Sequence, residues 1–220
     1  MITRPKNRSD YKKLFTLLLL VLSSGAFATT YYVSGTGNDA NAGTSKEAAW
    51  GTISKVNSSV FLPGDKLFFE GGKTFNGSIY LNSSDANNAG NIFVISSYGT
   101  GRAIINAGTS FGFYAYNTQG FSLSNLVFDG NSMSTNTDAG VILFADVSGD
   151  KKFGNISISN IEVKNFGSHG VRIGAWNNLT GYQNLALSNI SVHDVKANGI
   201  QVYGYTSQTL VGWPNKNVSI

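Results

Sequence analysis

The sequence predicts an all-β chain coiled as a parallel β-helix, and three observations carry that prediction. The composition suits short strands joined by turns, with 26 Gly, 12% aromatic and only 13% charged residues, and it argues against a helical bundle. One alternating apolar–polar motif recurs through the second half of the chain. A glycine-led third strand follows each copy.

The copies align without gaps: FSLSNLVFDG at 121–130, ISISNIEVKN at 156–165 and LALSNISVHD at 185–194. Their turn residues Asn125, Asn160 and Asn189 are 35 and 29 positions apart. A fainter copy, IFVISSYG at 92–99, places Ser96 at the Asn position, and NVSI at 217–220 starts another copy 33 residues after Asn184. The third strands read GFYAY (112–116), GVILF (140–144), GVRIG (170–174) and GIQVY (199–203), and the longer, dissimilar segments come after them.

Three short strands cannot bury their apolar faces alone, so successive repeats must stack. Stacking places Leu123, Ile158 and Leu187 above one another, and likewise Val141, Val171 and Ile200, with coils about 4.8 Å apart. Asn tolerates the left-handed backbone of a tight turn, and stacked Asn amides can hydrogen-bond along the axis. These asparagines are therefore structural. The same repeat grammar accounts for the Asn-x-Ser triplets at Asn155, Asn189 and Asn217.

Residues 1–28 are expected to be a signal peptide. Five cationic side chains stand against Asp10 in residues 1–13, the apolar run LFTLLLLVL covers 14–22, and Ala26 and Ala28 flank Phe27, the small-residue pattern of a cleavage site. Nine apolar residues fall short of the ~20 that a membrane span needs. Cleavage after Ala28 makes the protein secreted or cell-surface, without a membrane span. The formal charge of +4 comes with the leader, because eleven basic and eleven acidic residues follow it. No basic stripe for nucleic acid survives, and a monomer is expected. There is no cysteine, hence no disulfide and no thiolate metal site. Residues 29–60 read as an N-terminal cap, and 61–220 as coils that stop inside a strand at Ile220.

The stretch from Tyr31 to Gly72 resembles the leading segment of secreted bacterial right-handed parallel β-helix proteins, the pectate-lyase-like superfamily. Asn38-Asp39 with Gly43-Thr44, Thr52-Ile53, Pro63-Gly64-Asp65 and the later SYGTGRAII at 97–105 carry the resemblance. Such a segment is a lid over the open end of the core. Thr44 and Glu47 have capping-box spacing. Trp50, Ile53, Val56 and Val60 form the apolar stripe of a short helix, which makes Trp50 a core plug rather than a sugar platform.

The resemblance implies a carbohydrate-directed protein whose substrate groove runs along the outer face of the third strands. If Val141, Leu143, Val171, Ile173, Ile200 and Val202 point inward, then Tyr114, Tyr116, Ile142, Phe144, Arg172, Gln201 and Tyr203 point out. Aromatic planes beside hydrogen-bonding groups suit sugars, and Trp176 and Trp213 can wall the groove. A lyase acting on uronates needs a cation for the carboxylate and a base for the α-proton. Arg172 is the candidate for the first role, and Lys196 or His169 for the second. Lys164, His193 and Asp194 fall beside the groove in this reading. Calcium is possible, but Asp129, Asp138, Glu162 and Asp194 are scattered, and no hydrolase pair of carboxylates stands out. No P-loop, dinucleotide fingerprint, nucleophile elbow or His-Glu-x-x-His motif occurs. Two readings stand: the N-terminal part of a glycan-degrading enzyme, lyase ahead of hydrolase, or a non-catalytic glycan-binding stalk.

Overall fold

The structure is a computed structural model describing residues 28–205, 212 and 214–220. The expected leader up to Phe27, and Trp213, lie outside the described residues.

The strands are numbered β1–β15 in chain order and form three faces of a parallel β-helix. The first face holds β1 (Thr30–Val33), β2 (Lys66–Glu70), β5 (Phe93–Tyr98), β8 (Phe121–Ser124), the leading halves of β11 (Lys152–Phe166) and β13 (Gly181–Val195), and β15 (Lys216–Ser219). The second holds β3 (Thr74–Asn76), β6 (Ala103–Asn106), β9 (Leu126–Asp129) and the trailing halves of β11 and β13. The third is a separate five-stranded sheet of β4 (Ile79–Leu81), β7 (Phe113–Tyr116), β10 (Val141–Ala145), β12 (Val171–Ala175) and β14 (Ile200–Val202). Every strand pair is parallel.

The register is the one the repeats predict. Leu67, Ile95, Leu123, Ile158 and Leu187 stack on the first face. Ile79, Phe113, Val141, Val171 and Ile200 stack on the third. With Phe75, Ile105, Phe128 and Val163 of the second face, they fill one continuous core. Burial thins at the last described coil, where Ile200 is partly buried and Val202 is 39% exposed, because no described strand pairs beyond β14.

Asn125, Asn160 and Asn189 occupy one corner at φ of 61°, 53° and 52°. The Asn160 amide donates to Asn125 Oδ1 at 2.6 Å and Asn189 donates to Asn160 Oδ1 at 2.9 Å. Asn217 donates to Asn184 at 3.1 Å, so the last copy is also in register. The fainter copy needs a correction of one residue. Ile95 pairs with Leu123, which brings Ser97, not Ser96, to the corner, and Ser97 Oγ donates to Asn125 O at 2.6 Å.

The helix of the capping region, α1 (Ile53–Asn57), starts later than its sequence pattern suggests. Thr52 is its N-cap, accepting from Lys55 N at 3.1 Å while its hydroxyl donates to Asp39 Oδ2 at 2.6 Å. Thr44 and Glu47 lie in turns, and Val60 is 64% exposed beyond the helix, so neither the capping box nor the fourth stripe position holds. Ile53 and Val56 do face the core. Trp50 is buried as a plug, stacked on Tyr31 at 4.9 Å, with its indole N–H on Asn41 O at 3.1 Å. Asn57 bonds Ser78 O at 2.8 Å and Tyr80 N at 3.1 Å, which covers the outer edge of β4. Asp65, from the Pro-Gly-Asp motif, is buried and accepts from Thr29 N at 2.6 Å and Leu62 N at 2.8 Å.

On the outside of the second face, Glu162 accepts from Arg102 at 2.6 Å and Lys164 at 2.9 Å, with His193 Nε2 at 3.5 Å. The Lys164 hydrogen bond, offset in part by burial and then reinforced by the neighbouring cations, holds its carboxyl below the usual range. A lowered acid pKa stabilises above the ordinary Glu range, and that stability is lost as pH falls through the depressed value. Glu162→Gln should therefore cost about 1 kcal/mol near neutrality, with the difference closing as pH falls below the ordinary Glu range. Thermal melts of both proteins across that range check this; a gap that stays constant rules it out.

Candidate functional site

The site is built on the outer surface of the third face. Four of its five strands are entered through a glycine, and Gly112, Gly140, Gly170 and Gly199 form one column; β4 is entered through Ser78. From this common start the parity of the strands is locked. One outward row reads Tyr80, Tyr114, Ile142, Arg172 and Gln201. The next reads Tyr116, Phe144, Gly174 and, one residue past β14, Tyr203.

The rings interlock. Tyr114 meets Tyr80 edge-on at 5.6 Å, Phe111 at 5.3 Å and Tyr116 at 6.1 Å. Tyr116 stacks on Phe144 at 6.4 Å with planes 15° apart. Burial, and then the neighbouring phenols, push the Tyr114 hydroxyl up to about 12, so it works as a neutral hydrogen-bonding group.

Gly174 is the gap in the second row, and Tyr203 fills it. A Cβ at Gly174 would lie 2.2 Å from the Tyr203 Cζ and hydroxyl. Arg172 stacks over the same ring at 4.9 Å. His169 sits in the turn before β12 with Nδ1 at 2.8 Å from Ser168 Oγ. Burial, then the charge of Arg172, lowers its pKa, which favours the neutral ring.

Just past the C-terminal end of β10, Asp146 flanks the second outward row. Tyr116 donates its hydroxyl to both carboxylate oxygens at 2.8 and 3.0 Å, and the Asn117 amide adds a bond at 2.9 Å. Asn117 Oδ1 accepts from Asp146 N at 2.9 Å. Trp176 follows β12, 53% exposed, with Tyr205 edge-on at 5.1 Å. The carboxylate, the two flat rows and the exposed indole thus share one surface.

The structure brings Tyr114, Tyr116, Arg172, Gln201 and Tyr203 onto that surface, and the other candidates stand in the turns and on the second face. Lys196 is exposed in the turn between β13 and β14 and makes no hydrogen bond or ion pair to Arg172 or His169. Lys164 and His193 lie on the second face in the Glu162 network, and Asp194 pairs with His193 at 2.7 Å. They lie on the second strands, where the sequence reading placed them, and their side chains pair with one another and with Glu162. Tyr80 and Asp146 are members the sequence reading missed. Tyr80 belongs to a coil whose third strand lacks the aligned motif, and Asp146 stands one residue past its strand. Among the described residues no group of three or more His, Asp or Glu could hold a metal ion, and no helix is long and apolar enough to cross a membrane.

Comparison with known proteins adds one relative in sequence and one neighbour in fold. A lacto-N-biosidase of Bifidobacterium longum subsp. longum is 38% identical over 144 residues, which is 62% of this chain and 8% of that protein. The crystal structure of the GH136 lacto-N-biosidase from Eubacterium ramulus, as its selenomethionine derivative, superposes with a TM-score of 0.67 at 16% identity. It covers 96% of this chain and 43% of that one. The native form of the same enzyme gives 0.59 at 15% identity. The chain thus spans less than half of the solved structures and a small fraction of the curated relative. No family model matches. The solved structures establish the β-helix fold and nothing finer.

Proposed function

We propose that this chain is part of a glycan-degrading enzyme and that the outer surface of the third face contacts the sugar. The observation that carries the reading is the paired outward rows bearing aromatic side chains, flanked along one side by Asp146 and Trp176. Flat rings accept the C–H faces of sugars, while Asp146, Gln201 and the phenols offer partners for hydroxyls. The 38% identical relative is a lacto-N-biosidase, which favours hydrolysis of a glycosidic bond over elimination. Hydrolysis of that kind uses two carboxylates flanking the bond. Asp146 supplies one carboxylate on this surface, its plane fixed by Tyr116 and Asn117. An expected secretory leader agrees with an extracellular substrate.

Calorimetric titration of the full chain with neutral and acidic oligosaccharides tests the contact surface. Tyr116→Ala and Trp176→Ala should each weaken binding about tenfold, an effect near 1.5 kcal/mol. Lys164→Ala, on the other face, should change nothing. Equal effects from all three variants, or no binding by the parent protein, overturn the reading. Release of reducing ends without absorbance from a new double bond would mark hydrolysis.

A further inference from the structure

Arg172 is a cation with no counter-ion among the described residues. The other described arginine, Arg102, is paired with Glu162 at 2.6 Å. Arg172 has no carboxylate within ion-pair distance among the described residues, and its Nε is enclosed without an acceptor. Its guanidinium lies on the Tyr203 ring, and its neighbours along the outward row are Ile142 and Gln201, neither of them anionic. His169, the titratable group beside it, is biased toward the neutral form. A partly enclosed guanidinium without a counter-ion is costly, and an incoming anion supplies the charge pairing that the protein leaves unmade.

Resting on the glycan reading of the same surface, we propose that Arg172 is the anion subsite of this protein and that its substrate carries an acidic group. Nε is covered, so the terminal Nη edge is the one open to a ligand, and that edge binds a planar carboxylate or a sulfate through two parallel N–H bonds. Tyr203 supports the guanidinium from beneath and offers its own ring edge to the sugar. Gly174 makes this possible, since any side chain there would displace Tyr203. The recognised chemistry is one negative charge on a pyranose, either a uronate or sialate carboxylate or a sulfate ester.

The test titrates the full chain with three oligosaccharides of equal length: a neutral galactan fragment, a galacturonan fragment and a sulfated galactan fragment. One of the acidic probes should bind at least tenfold tighter than the neutral one, and added salt should erode that margin. The better of the two identifies the group. Arg172→Gln should lower affinity for that probe roughly 10- to 100-fold, the range of a charge-assisted contact, and far more than it lowers affinity for the neutral probe. Arg172→Lys, which keeps the charge but not the fork, should fall between. Equal affinity of the parent protein for all three overturns the anion subsite and leaves the glycan surface standing. Parallel losses for neutral and acidic probes in the Arg172 variants also overturn it, since Arg172 would then only hold Tyr203 in place. Failure to bind any of them removes both readings. If Arg172→Gln does not fold, the parent's acidic-to-neutral ratio and its salt dependence decide.

Discussion

A single methyl group at Gly140 should destabilise the solenoid by about 3 kcal/mol or more, lowering the thermal midpoint by roughly 6–12 °C. Its Cβ would stand 2.1 Å from Val163 Cγ1, 2.9 Å from a Phe166 ring carbon and 3.0 Å from Gly170 O. Val163 and Phe166 are buried in the same core, so neither can retreat. Gly199 provides the control. It occupies the same column one coil beyond Gly170, yet the nearest atoms to its Cβ are 3.8 and 3.9 Å away on Val192. Gly199→Ala should therefore melt close to the parent. Equal midpoints for the two variants would show that the column is not limited by space.

Phe166→Ala should cost about 3–5 kcal/mol, the range for emptying a packed aromatic site. Phe166 is fully buried at the corner where β11 turns toward the third face, and its ring lies against Gly130 and Gly140. Phe144→Ala removes the same side chain from the outer surface, where the ring only stacks on Tyr116, and should cost about 1 kcal/mol. Urea unfolding of both variants measures the difference. A Phe144 variant as unstable as the Phe166 variant would reverse the inward–outward assignment on which the candidate site depends.

That assignment was legible in the sequence because alternation along a strand has a period of two, and stacking repeats it in every coil. The alternation puts Val141 and Leu143 inward and Ile142 and Phe144 outward, and the register agrees. The Asn corner was legible for the same reason: Asn combines a tolerated left-handed backbone with a self-complementary amide. Other features lacked such a signal. Ser97 takes the corner in place of Asn, and two adjacent serines made the alignment ambiguous by one residue. Thr44-x-x-Glu47 has the letters of a capping box, but the chain there is tied down by Gly43 N to Ala48 O and Tyr32 N to Gly43 O, so no helix starts. Asp146 was invisible because only tertiary contact with Tyr116 and Asn117 turns an isolated loop acid into part of a surface. Repeats report what recurs, and a site is made of what does not.

The asparagine corners also have a direction. In the links between asparagines of successive coils, and in the one to Asp129, the later residue donates and the earlier accepts: Asn106 to Asn76, Asn160 to Asn125, Asn165 to Asp129, Asn189 to Asn160 and Asn217 to Asn184. The amide dipoles therefore point the same way along the axis and polarise one another. An acid can end such a chain only at its accepting terminus, which is where Asp129 stands beneath Asn165. Deamidation of Asn125, the last acceptor of its column, would leave the Asn160 amide a carboxylate to bond. Deamidation of Asn160 would remove the donor that Asn125 receives and break the column in its middle. Chemical ageing of this solenoid should thus be uneven, harmless at one end of each column and damaging inside it.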